Sequence, residues 1–135
     1  MQSMTAETAR RIVLDYVHAV GRQAPVEELA ALLAPDFVFR EWPNALSPQE
    51  ATRDREQTLN GFAQAHLVVG DQQYTVQRVL ADGEEVAVEL SWQAVARMDL
   101  PYWNVGDTMK ARILSVFTVR DGLIAAQDSF DSYET

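Results

Sequence analysis

Residues 108–134 read TMKARILSVFTVRDGLIAAQDSFDSYE, and the fold turns on them. Two alternating runs flank Asp121-Gly122, a strong hairpin signal because both residues tolerate positive φ. In the first run Ala111, Ile113, Ser115 and Phe117 face one way, and Arg112, Leu114, Val116 and Thr118 the other. Both sets are largely apolar, so the outer face of this strand is expected to form a homodimer interface. In the second run parity puts Gln127, Ser129, Asp131 and Tyr133 on one face and Asp128 on the opposite one.

The same period of two extends upstream. Residues 72–99, QQYTVQRVLADGEEVAVELSWQAVARMD, hold two more strands joined at Asp82-Gly83. Val86, Val88, Leu90 and Trp92 share one face, and Glu89, Ser91, Gln93, Val95, Arg97 and Asp99 the other. Before residue 66 the period is helical. Ala9, Ile12, Val13, Tyr16, Val17 and Val20 make one stripe, which Gly21 stops. A second short helix is expected from Pro25, burying Leu29, Leu32 and Leu33 before Pro35 ends it. Phe37, Val38 and Phe39 start a buried strand that delivers Arg40, Glu41 and Trp42 just before Pro43. Ser47, Pro48 and Glu50 read as a capping box opening a third helix that reaches about Ala65. Helix, helix, strand, helix and an antiparallel meander define an α+β domain with helices on one sheet face.

Composition sets limits on function. A chain of 135 residues with 47% apolar content fits one domain, with no linker or repeat to divide it. The absence of cysteine removes disulfides, thiolate metal sites and cysteine nucleophiles. A net charge of −9 argues against nucleic-acid binding. No apolar run would span a membrane, and the N-terminus lacks a signal-like stretch, so the expected location is cytoplasmic. With only His18 and His66, a histidine-rich metal site is not expected, and both read as ordinary surface histidines.

What remains is a set of acids, arginines and aromatics at element ends. Arg97 and Asp99, two apart, point the same way, and since the arginine keeps the carboxylate ionised while burial opposes this, the pair can be tuned as acid or base. The bland reading of that pair is a rim salt bridge near the LPYWN loop. Tyr16, inside an apolar stripe, is either a core residue or a hydrogen-bond donor into a cavity. A pocket that only binds would hold Glu41 in a fixed ion pair, with Arg53, expected on the third helix, as the candidate partner.

The element order, Tyr16, FVFREWPN and VFTVRDGLIAAQDSFDSYE together resemble a nuclear transport factor 2-like, SnoaL-like domain over essentially the whole chain. The resemblance implies a cone: a curved antiparallel sheet wrapped around three N-terminal helices, with an apolar pocket at its open end. Relatives include ketosteroid isomerases, polyketide cyclases and limonene epoxide hydrolases, so fold alone does not set the reaction. Against the isomerases, Tyr16 matches the helix-borne tyrosine and Ser115 stands where an acidic donor is found. Anchored on Pro43, their general base falls on Trp42, with Glu41 its neighbour. Against the epoxide hydrolases, Arg97-Met98-Asp99 matches an Arg-x-Asp, while a second aspartate falls on Ser129 beside Asp128, and Phe39 and Glu41 take the water-holding positions. A further SnoaL-like subgroup matches at Glu41, Pro43, Asn44, Glu89, Trp92, Gln127 and Asp131, which favours Asp131 over Asp128 if its face is the pocket side.

The resemblance thus implies cofactor-free, metal-independent acid–base chemistry on an apolar oxygenated small molecule, of isomerase, cyclase, dehydratase or epoxide-hydrolase type. Glu41, Arg97, Asp99, Asp131 and Tyr16 form the implied catalytic set. Trp42, Asn44, Trp92, Trp103, Ser115 and Gln127 form the implied substrate-binding set. The alternative is a non-catalytic module of the same fold that binds a small molecule or dimerises.

Overall fold

Helix α1 (Ala6–Gly21) forms where the apolar stripe predicts it, and Thr5 caps it by accepting a hydrogen bond from the Thr8 N–H. The computed structural model describes residues 5–135. Ala9, Val13, Tyr16 and Val17 are buried along the stripe, and α1 lies across the inner face of strands β3 (Val69–Asp82), β4 (Glu85–Ala96), β5 (Thr108–Arg120) and β6 (Leu123–Tyr133). No described helix is long and apolar enough to cross a membrane.

The next elements depart from the sequence reading. Helix α2 (Val26–Ala30) is shorter than expected and has Pro25 at its N-cap. Leu33 already begins β1 (Leu33–Glu41), which runs on through Pro35. The proline is tolerated because the ladder between β1 and β6 shifts register between Leu33 and Val38, so its missing N–H breaks no regular pair. The Ser47 capping box does not form. Asn44 Oδ1 instead accepts from the Leu46 and Ser47 N–H groups and closes a turn, and the Ser47 hydroxyl donates to the Gln49 carbonyl. Residues Ala51–Asp54 then form β2, antiparallel to β1 with Glu41 opposite Ala51 and Phe39 opposite Arg53. Helix α3 (Arg55–Gln64) starts only after this strand. Its capping box is Asp54 with Gln57, each side chain accepting the other's backbone N–H.

The strands form one six-stranded sheet of order β2-β1-β6-β5-β4-β3. All pairs are antiparallel except β1 with β6, which is parallel. Asp121 and Gly122 take φ of 55° and 79°, as a two-residue turn twisted with its strands requires. Register shifts in β1, β3 and the β5–β6 ladder bend the sheet around the helices. The core between them is built on Tyr16, Leu29, Phe37, Met109, Phe117 and Ile124. The inner faces of β4 and β5 are those read from alternation, with Val86, Val88, Leu90 and Trp92 buried opposite Phe117, Ser115, Ile113 and Ala111.

Candidate active site

A cavity of about 670 Å³ opens between the sheet's concave face and the helices. Leu29, Phe39, Phe62 and Val69 supply apolar wall, while Glu41, Arg53, Gln72, Tyr74, Asp131 and Tyr133 bring polar groups to it. Because β1 and β6 run parallel with Glu41 opposite Ser129, Asp131 lies one inward-facing step beyond Glu41 on the neighbouring strand. Two carboxylates therefore share one wall.

Their surroundings differ. Glu41 Oε1 accepts from Arg53 Nη1 at 2.9 Å and Oε2 accepts from Asn44 Nδ2 at 2.8 Å, so both oxygens of the half-buried carboxylate are held. The expected ion pair with Arg53 is formed, but from β2 rather than from a helix. Among the described residues Asp131 has no cationic partner. Burial pushes its pKa above the ordinary aspartate value; the Ser129 hydrogen bond opposes this, the Glu41 charge adds to it, and Tyr133 opposes it weakly. Ser129 Oγ donates to Asp131 Oδ1 at 2.6 Å, and the Tyr133 hydroxyl donates to Oδ2 at 3.4 Å.

A polar file runs behind Asp131. Gln127 Nε2 donates to Ser115 Oγ at 3.3 Å, Ser115 to Ser129 at 3.4 Å, and Ser129 to the carboxyl. Ser115 and Ser129 are buried, and β5–β6 pairing sets them side by side. A second polar group forms on β3. Gln72 Oε1 accepts from Trp92 Nε1 at 3.0 Å and from the Tyr74 hydroxyl at 3.1 Å. Burial, with the Asp131 charge adding, pushes the Tyr74 hydroxyl up to about 12. Tyr133 is pushed up as well, first by burial and then by Asp131. Trp92 and Trp103 meet the Tyr133 ring edge-on at 5.8 and 5.6 Å, so they fix the tyrosine rather than line the cavity.

Other expected residues lie elsewhere. Arg97 and Asp99 do not pair: β4 ends at Ala96, both side chains are exposed, Arg97 donates to the His66 carbonyl, and Asp99 accepts from the Val105 N–H in its own loop. Arg97 still lines the cavity, whereas Asp99 does not. Trp42 points to the outer sheet face, where it stacks on Phe130 with centroids 5.6 Å apart, and Asp128 is on the same side by parity. Tyr16 is buried in the core, edge-on to Phe62 and Phe117, outside the cavity lining and with its hydroxyl unpartnered. Asn44 lies outside the lining too, and acts through Glu41. Gln72 and Tyr74 join the site although the sequence did not bring them forward.

A curved sheet closed by helices over a cavity with two inward carboxylates defines an α+β pocket fold. A sequence profile of the SnoaL-like domain matches residues 13–127, and the chain belongs to that family. Its fold is similar to that of a candidate ketosteroid isomerase from Kribbella flavida, at 27% identity and TM-score 0.66 over 96% of this chain and 80% of that one. It is also similar to IdmH, a candidate polyketide cyclase from Streptomyces antibioticus, at 23% identity and TM-score 0.75 over 91% of both chains. A nuclear transport factor 2-like protein from Burkholderia xenovorans aligns at 20% identity and TM-score 0.75, over 95% of this chain and 92% of that one. No curated protein sequence matches the chain.

Proposed function

We propose that the chain is an enzyme that performs acid–base chemistry, without metal or organic cofactor, on an apolar oxygenated small molecule held in the cavity. The observation that carries this reading is the pair of carboxylates in unlike settings: Glu41 fixed beside Arg53, and Asp131 raised by burial without a cation. Asp131 in its acid form donates a proton to a carbonyl, epoxide or hydroxyl oxygen of the substrate. Glu41 accepts a proton from carbon or from water, since its two hydrogen bonds leave about half of the roughly four carboxylate lone-pair positions open. With a β,γ-unsaturated ketone the first half-reaction gives a dienol, one proton having passed from Asp131 to the oxygen and one from the α-carbon to Glu41; Glu41 then delivers its proton to the γ-carbon while the oxygen-bound proton returns to Asp131, which completes an isomerisation. Tyr133 and Ser129 stabilise the Asp131 carboxylate left behind.

A second reading is favoured by one observation. Glu41 is engaged at both oxygens, as a purely structural ion pair would be, which suits a non-catalytic binding module. Incubation of wild type, Glu41→Gln and Asp131→Asn with a ketosteroid, a terpene epoxide and a linear polyketone ester, followed by mass spectrometry, separates the two. The enzyme reading expects turnover of at least one compound and a loss of about a hundred-fold or more in each variant. Binding without turnover in all three proteins supports the module. The outer sheet face, with Val38, Leu114 and Phe130 exposed, is proposed to be covered by a second copy of the chain.

A further inference from the structure

The cavity has two arginines in its wall, and only one is matched by an acid. Arg53 pairs with Glu41, whereas none of the ion pairs among the described residues includes Arg97. Arg97 is nonetheless positioned. Its backbone N–H donates to the Val68 carbonyl and Nη1 to the His66 carbonyl, both at 2.8 Å. The rest of the guanidinium lies against Gly70: a Cβ added there would meet Nε and sit 2.6 Å from Nη2, so the guanidinium would have to shift. Gly70 therefore leaves space that the guanidinium fills. Of five N–H donors, one is spent on His66, and the group stays exposed in a cavity wall that also holds Asp71 and His66.

We propose that Arg97 is a specificity-determining residue that selects ligands carrying a carboxylate at one end of an apolar body. The anionic end docks at the mouth and the apolar body reaches inward toward Asp131. This rests on the reading of the cavity as a ligand site. A chain of net charge −9 repels anions in general, and three acids, Glu41, Asp71 and Asp131, line the cavity, so an anionic ligand needs a local cation. Arg97 supplies it with a planar donor fork suited to a carboxylate. Because the group is exposed, its remaining donors face water, which a ligand carboxylate can displace.

Isothermal titration with decanoate and decan-1-ol, at low salt and a pH where the acid is ionised, tests this. Wild type is expected to bind decanoate about ten-fold more tightly than the alcohol, the size of one exposed charge-assisted contact. Arg97→Gln and Gly70→Ala, the latter by displacing the guanidinium, should each abolish the preference and leave alcohol binding unchanged. Arg97→Lys should retain part of it, which loss of a structural tie would not. Equal binding of acid and alcohol to wild type, or an equal loss of both in Arg97→Gln, overturns the role of Arg97 while leaving the cavity reading intact. Failure of both ligands to bind wild type overturns the two together.

Discussion

Replacing Tyr16 with phenylalanine removes one oxygen and leaves the ring contacts with Phe62 and Phe117 in place. The hydroxyl is buried, makes no hydrogen bond to any of the described residues and lies outside the cavity lining. Burial raises its pKa far above the ordinary tyrosine range, the signature of a polar group taken out of water, with Tyr74 adding to it. An unsatisfied buried hydroxyl costs about 1–3 kcal/mol, whereas the lost packing is one small atom. Tyr16→Phe should therefore stabilise the fold by about 1–2 kcal/mol, raising Tm by roughly 4–8 °C for a domain of this size. Thermal unfolding followed by far-ultraviolet circular dichroism measures it directly. A loss of about 1 kcal/mol or more would refute the reasoning, because it would mean that the hydroxyl has a partner in the native state. Gained stability with turnover unchanged would set the hydroxyl outside the chemistry, in line with its place outside the cavity lining.

Three further predictions follow from the same geometry. Arg53→Met leaves half-buried Glu41 with Asn44 alone; since Arg53 is itself partly exposed, the cost should be about 1–2 kcal/mol, between the surface and buried limits, read by urea unfolding. Asp131→Asn should flatten the pH dependence of stability. The folded pKa of Asp131 lies above the unfolded one, so its contribution is present below the unfolded value of about 4 and is lost as pH rises through the folded value; unfolding free energies across that range check it. Leu114→Asp, at a 41% exposed position of the outer face, should convert a dimer to a folded monomer in sedimentation velocity, and a monomeric wild type would contradict the proposed interface.

Much of the fold was legible because its signals are local. The α1 stripe and the Asp121-Gly122 turn depend on residues that touch each other. The α3 start was misplaced because two capping boxes compete. Ser47 with Glu50 matches the pattern, but Ala51–Asp54 pair with the edge of β1 and delay the helix until Asp54 and Gln57. The Ser47 reading could not see a pairing partner supplied by another strand. Parity grouped Asp131 with Ser129 and left open which face is inner; the grouping holds because no register shift lies between Asp131 and Ser115. Tyr74 and Gln72 were not placed in the site, and the cause is physical. Counting back from the β3–β4 turn puts Gln77 and Thr75 inward, but the register shift between Val76 and Arg78 swaps faces and turns Tyr74 inward. Arg97 reaches the cavity for a related reason: alternation assigns it outward, but the strand ends one residue earlier, and the bond to Val68 redirects the chain.

The account stands on Asp131 being an acid poised inside the cavity beside a charged Glu41. A carbon-detected magnetic-resonance titration of the Asp131 side-chain carboxyl, in wild type and in Glu41→Gln, tests this most directly. The predicted midpoint in wild type lies above the ordinary aspartate value of about 4, and it moves part of the way back in Glu41→Gln because one of its causes is gone while burial remains. A midpoint at or below that value in wild type, unmoved by Glu41→Gln, would contradict the claim and leave Asp131 a hydrogen-bond acceptor of the Ser129 file.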